Sequence, residues 1–263
     1  MDTEADSALK ENAWSVNLEH GDRWWYAHVA ELVGCFTRGE TMKEVLDALP
    51  RVVERECAFL VSKGLPQQGR IGFEIVKLTE GIPGLGEAGG AVALFQTDLK
   101  PVKESELGRS FDLMRWNREE LMRIIEPLSE YALVATPIPG KWSIDQTLRH
   151  IANAEEWYVS RMGAPTQRQY EAYLRGLKAS KRRFTSPERL RLVREGALLS
   201  LSAAIPEKDA ASFKRVAYTQ HPEELWTFRK VLRRFVEHER EHIGTISKVI
   251  EALDEFSPQP RAI

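Results

Sequence analysis

The stretch Phe235-Val236-Glu237-His238-Glu239-Arg240-Glu241-His242-Ile243-Gly244-Thr245-Ile246 decides how the C-terminal half of this chain folds. It lies within a longer apolar series of Phe228, Val231, Leu232, Phe235, Ile246, Val249 and Leu253. That series recurs every three to four residues, as one face of an α-helix does. His238 and His242 fall where the series calls for core residues. Their i, i+4 spacing puts both imidazoles on one helix face, about one turn apart, the separation that two ligands of one metal ion need. A buried imidazole with an unpaired ring nitrogen costs on the order of 1–3 kcal/mol. Two of them on one core face therefore require several polar partners or a shared ion. An H-x-x-x-H pair also arises by chance, and a lone core histidine ordinarily bonds a backbone carbonyl. Glu237 or Glu241 could orient a ligand imidazole, although such carboxylates are commonly solvated.

Working back from this helix, Pro222 reads as its start and Phe256 as its end. Ser186-Pro187-Glu188 reads as an N-cap with proline at the first helical position, opening a helix to about Ala204. Ser143-x-x-Gln146 is a capping box, which opens a helix to about Met162. A further helix is expected from Lys103 to Tyr131, with Phe111, Met114, Leu121, Ile124, Ile125 and Leu128 at helical spacing and Pro127 near its end. Four long helices, with short pieces in 164–185, suggest an up-down bundle with one long connection.

His150 is the third candidate ligand. It shares a line on its helix with Ser143, Thr147, Ala154 and Trp157, bordering the apolar line Ile144, Leu148, Ile151 and Tyr158. A bundle can bring this face against the last helix. Three histidines would leave a position open for water or substrate, as catalytic sites do. Trp157 reads as either pocket lining or core, and Arg149 as solvent-facing. His20, His28 and His221 lie in a turn, in a strand and ahead of a helix, and read as non-functional.

The first third reads as strands plus one helix. Trp14–Leu18 and Trp24–Ala30 flank a turn at residues 20–23 and form a hairpin. Gly34–Gly39 reads as a loop or short strand. Thr41-x-x-Glu44 is a capping box for a helix over Met42–Ser62, with Pro50 expected to kink or split it. Gly72–Leu78 reads as a third strand, the glycine-rich 79–90 as a loop or linker, and Val92–Phe95 as one more strand. The unit boundary is expected within 80–103.

Composition narrows the class. Residues 1–100 carry 10 basic and 16 acidic side chains, and residues 101–263 carry 27 and 23. This asymmetry suggests two units, an α+β domain over 12–97 and an all-α bundle over 103–257. The formal net charge of −2 gives no global pull toward nucleic acid or anionic membranes. Cys35 and Cys57 are too few for a disulfide framework or a cysteine-based zinc site, which fits a reduced, cytoplasmic setting. No signal peptide is expected from the acidic N-terminus, and no apolar run approaches the ~18 residues of a membrane span. The basic stretch from Lys178 to Arg194 reads as a solvated face, or as a surface for phosphate groups.

The C-terminal half resembles the DinB/YfiT-like superfamily. Lys141-Trp142-Ser143 through His150-Ile151, Glu155-Glu156-Trp157 and the quoted 235–246 stretch carry the resemblance, over roughly 105–256. It implies a four-helix bundle with a divalent metal ion on His150, His238 and His242. The ion would be zinc or nickel, with manganese or iron as alternatives. The implied activities are metal-dependent hydrolysis, or S-transfer with a low-molecular-weight thiol as co-substrate. The N-terminal part resembles the HicB-like fold through Trp25–Val45, where Val33 stands in place of the usual proline. This implies a small antiparallel sheet with one helix, serving docking, dimerisation or pocket covering. The expected partners are a small-molecule substrate and a second copy of the chain, not nucleic acid or membrane. The competing reading is a non-catalytic regulatory or binding protein.

Overall fold

The structure, a computed structural model, describes residues 12–67, 69–178, 183–204, 213–214 and 219–256. They form two compact units. One comprises residues up to Leu99 with the stretch 214–225, and the other Lys100–Phe213 and the chain from Trp226 onward.

The first unit is a four-stranded sheet with one helix. Strands β1 (Trp14–Gly21), β2 (Trp25–Val29) and β3 (Phe36–Gly39) form an antiparallel meander, in which Val16 faces Val29 and Tyr26 faces Arg38. Helix α1 (Met42–Ser62) packs against β2 and β3, and β4 (Phe73–Ile82) then pairs with β1. The sheet order is β3-β2-β1-β4, and the β1–β4 pair is parallel. The expected antiparallel sheet is therefore mixed. A chain that returns through a helical crossover comes back in the same direction as the strand it joins.

Helix α1 has the capping box read from the sequence: the Thr41 hydroxyl accepts from the Glu44 amide, and Glu44 reaches back. Val45, Leu49, Val53 and Leu60 are its buried stripe. Pro50 does not split the helix. It is exposed, so water can replace the hydrogen bond its ring removes.

The 83–95 segment is neither linker nor strand. Leu85, Ala91, Ala93 and Phe95 join Tyr26 and Ile82 in a buried cluster. The amides of Val92, Ala93 and Phe95 donate to the carboxylates of Glu224, Glu19 and Asp98. Donors spent on side chains cannot build a sheet ladder, which is why Val92–Phe95 forms no strand. The chain passes so close to the sheet that a Cβ on Gly86 would sit 2.8 Å from the Tyr26 hydroxyl.

The second unit is helical. Helices α2 (Glu104–Ile125), α4 (Ile144–Ser160), α6 (Ser186–Ala203) and α7 (Phe228–Phe256) are its long members, with short α3 (Glu130–Val134) and the additional α5 (Ala164–Lys178). α4 packs on both α6 and α7, α2 packs on α7, and α5 packs on α6. The single helix expected over 103–131 is broken. Pro127 lacks an amide hydrogen, so the hydrogen-bond ladder stops there, although Glu126 before it still has helical backbone. Ser129 then recaps the chain into α3.

Two helix starts also differ from the reading. Thr185, not Ser186, caps α6, placing Pro187 at the second helical position. The last helix begins at Phe228 rather than Pro222, with the Thr227 hydroxyl accepting from the Lys230 amide. α5 docks where Gly196 leaves space, since a Cβ there would lie 2.6 Å from the Tyr173 ring.

Candidate metal centre

The Ser143 cap starts α4 so that Ile144, Leu148 and Ile151 are fully buried, with His150 beside them at the edge of the core. On α7, Val231, Leu232, Phe235, Ile246 and Val249 are buried, which carries His238 and His242 to the same seam. The three predicted residues meet there. His150 Nε2 lies 3.0 Å from His238 Nε2, and His242 Nε2 lies 3.1 Å from it. One ligand-capable nitrogen from each residue falls within 4.8 Å of the other two. His238 is buried, and His150 and His242 are half-buried.

This donor set suits a metal. A neutral imidazole nitrogen carries one proton or one lone pair, and so satisfies one neighbour. His238 Nε2 faces two. A cation accepting a lone pair from each ring resolves that conflict. Two nitrogens about 2.0–2.1 Å from one tetrahedral ion stand roughly 3.3 Å apart, close to the spacings found.

Electrostatics favour the neutral, ligating form. Burial, helped by His242, Arg234 and His150, holds His238 well below the usual histidine range. Burial also lowers His150, against the opposing charge of Glu241.

The neighbours divide by role. Trp142, half exposed, tilts against His150 with ring centroids 4.9 Å apart. Tyr158 meets His238 edge-on. Its hydroxyl bonds to Arg234, and burial pushes its pKa up, so the phenol stays protonated. Trp157 packs edge-on against Trp226 and Tyr158. Glu237 is not solvated as expected. It is buried and held by Arg233 and Arg234. Arg149 is solvent-facing and pairs with Asp145.

The family model of the DinB superfamily matches residues 113–246. The chain belongs to this superfamily. The match covers the three histidines, all of α4 and α6, and parts of α2 and α7. A search of curated proteins finds no match. Among solved structures, the chain is similar to YfiT from Bacillus subtilis, described as a probable metal-dependent hydrolase with an unusual four-helix bundle topology. The two are 16% identical with a TM-score of 0.42, over 63% of this chain and 95% of that one.

Within this DinB-superfamily bundle, His238-Glu239-x-x-His242 also spells the pattern in which a glutamate serves as general base of a zinc protease. Glu239 is not placed for that role, because its carboxylate is bound by Arg118 at 2.5 Å and Arg194 at 2.8 Å. Burial pushes the Glu239 carboxyl up, but the two guanidinium charges more than offset this and hold it below the usual range.

The basic stretch from 178 is not one solvated face either. Arg194 is buried against Glu155, and Arg189 pairs with Glu156. Residues 179–182 lie outside the described part of the chain.

The sequence reading missed Trp142 and Arg234 as neighbours of the site. Trp142 was legible, since it directly precedes the cap of the helix that bears His150. Arg234 was legible too, since i, i+4 spacing puts it one turn before His238 on the same side of the helix.

Proposed function

We propose that this protein is a metal-dependent enzyme holding one divalent ion on His150, His238 and His242. The supporting observation is the convergence of three Nε2 atoms around a buried histidine that cannot satisfy both neighbours. Bound there, the ion supplies Lewis acidity, lowering the pKa of a thiol or water in the remaining position or polarising a substrate carbonyl. Two of the ligating rings sit where burial keeps them neutral. The reaction proposed is hydrolysis or S-transfer from a low-molecular-weight thiol, and zinc or nickel is the proposed ion. Three neutral imidazoles leave the ion's charge intact, so the remaining position favours an anionic ligand.

Elemental analysis of the purified chain, beside the His150/His238/His242 triple alanine variant, tests the site. About one equivalent of metal in the native chain and none in the variant is expected. Equal metal content in both would remove the proposal. Turnover of ester, amide and thiol-acceptor panels, lost on chelation and restored by metal, tests the reaction class.

The first unit is proposed to be a HicB-like docking or dimerising module. Its support is the run of three strands, a capped helix and a returning strand. A monomer by light scattering at all concentrations would remove the dimerising role.

A further inference from the structure

Each long helix of the bundle contributes one charged residue to a closed, buried quartet: Arg118 from α2, Glu155 from α4, Arg194 from α6 and Glu239 from α7. Both arginines bond both glutamates. Arg118 reaches Glu155 at 2.5 Å and Glu239 at 2.5 Å. Arg194 reaches Glu155 at 2.6 Å and Glu239 at 2.8 Å. Each guanidinium also donates to a helix carbonyl, Arg118 to Leu190 and Arg194 to Met114. The two carboxylates are 2% and 1% exposed, so this is an interior network and not a surface ion pair.

The arrangement follows the metal ligands. Glu155 shares α4 with His150, and Glu239 adjoins His238 on α7. Each arginine therefore ties the helix bearing one ligand to the helix bearing the other two. Apolar stripes alone tolerate sliding, because Leu, Val and Ile fit neighbouring grooves nearly as well after a shift of about one turn, roughly 5.4 Å. A shift of that size would separate His150 from His238. Guanidinium–carboxylate bonds are directional, the two-point Arg194–Glu155 pair most of all, and do not survive it.

We propose that this quartet is a positioning device that sets the axial register of α4 against α7, and thereby the geometry of the three-histidine centre. The inference rests on the metal reading above. It also accounts for the burial of Glu239, whose carboxylate serves the helix clasp and not proton transfer. Buried ionic groups are best attested in registry roles of this kind.

The test replaces all four charges together by apolar residues of similar size, Arg118→Met, Glu155→Leu, Arg194→Met and Glu239→Leu, in the full chain. No buried charge is then left unpaired. Cobalt(II) alone is the probe, because its visible spectrum reports ligand geometry as well as occupancy. The native chain is expected to give one tight site with a tetrahedral spectrum. The fourfold variant is expected to keep its helical circular dichroism and cooperative melting, to bind cobalt at least tenfold more weakly, and to show a broadened spectrum. A folded variant with native affinity and spectrum overturns the proposal.

Should the fourfold variant not fold, Glu155→Asp with Glu239→Asp carries the same test, since it keeps every charge paired and draws each carboxylate back by one methylene. A tenfold weaker site supports the clasp, and an unchanged one overturns it. No cobalt binding by the native chain would instead defeat the metal reading itself, so the two failures are distinguishable.

Discussion

The Nε2 atoms of His150 and His238 lie 3.0 Å apart, although 88 residues separate them along the chain. Neither nitrogen is brought there by local structure. α4 and α7 are built by their own caps and stripes, and only their packing makes the pair. His238→Ala removes the nitrogen that stands between the other two. Metal content should fall from about one equivalent to under a tenth of one, measured on protein dialysed against a trace of the ion. Because the variant also removes a buried polar ring, its fold should be retained.

Trp142 offers an optical report on the same site. Its ring centroid lies 4.9 Å from that of His150. A paramagnetic ion such as nickel or copper(II) bound there should quench part of the tryptophan emission in a saturable titration. Trp142→Phe should remove most of the saturable component while leaving metal affinity within a few-fold. An undiminished quench in the variant would place the ion elsewhere.

Stability of the metal-free protein should fall with pH on the acid side of neutrality. Burial holds folded His238 well below its ordinary pKa of 6.5 and lowers His150 as well. Between the folded and unfolded pKa values the unfolded chain binds more protons, so acid favours unfolding there. Stability is therefore full above about pH 6.5 and declines as pH drops below that value toward the folded pKa. Thermal melts of chelator-treated protein between pH 7.5 and 5.5 check the sign. A melting temperature that rises on acidification would contradict it, and His238→Ala should flatten the slope.

In the first unit, Glu19 is the group whose loss should cost most. Its buried carboxylate contacts His28 at 3.0 Å and accepts the Ala93 amide at 2.7 Å. Glu19→Ala leaves a buried imidazole and a buried amide without that partner, at about 3–5 kcal/mol for a broken buried pair. Thr41→Ala, which removes only the α1 cap, should cost about 1 kcal/mol. Denaturant titration of the two variants should preserve that order.

Local rules made much of this chain readable. The boxes at Thr41 and Ser143, the stripe of α7 and the i, i+4 placement of His238 and His242 all depend on residues within a turn or two of each other, so sequence alone specifies them. Where a side chain competes with the backbone for a donor, local reading failed. Glu19 takes the Ala93 amide, and a run that looks like a strand becomes buried coil. Proline acts by context: α1 runs unsplit through exposed Pro50, where water can replace the lost bond, whereas after Pro127 the chain must restart.

The sequence by itself determined which residues could hold a metal: three histidines on helical faces that should otherwise be apolar. Tertiary structure decided which charges flank them. Glu239 and Arg194 fall on the apolar stripes of their helices, where spacing alone leaves a charge unexplained, and Glu237 looks free to orient a ligand. Glu237 is held by Arg233 and Arg234 of its own helix, but packing of four helices buried Glu239 and Arg194 and gave them partners on other helices, because a charge enters an interior only with its partner. Those partners lie up to 121 residues away, beyond the reach of any local pattern.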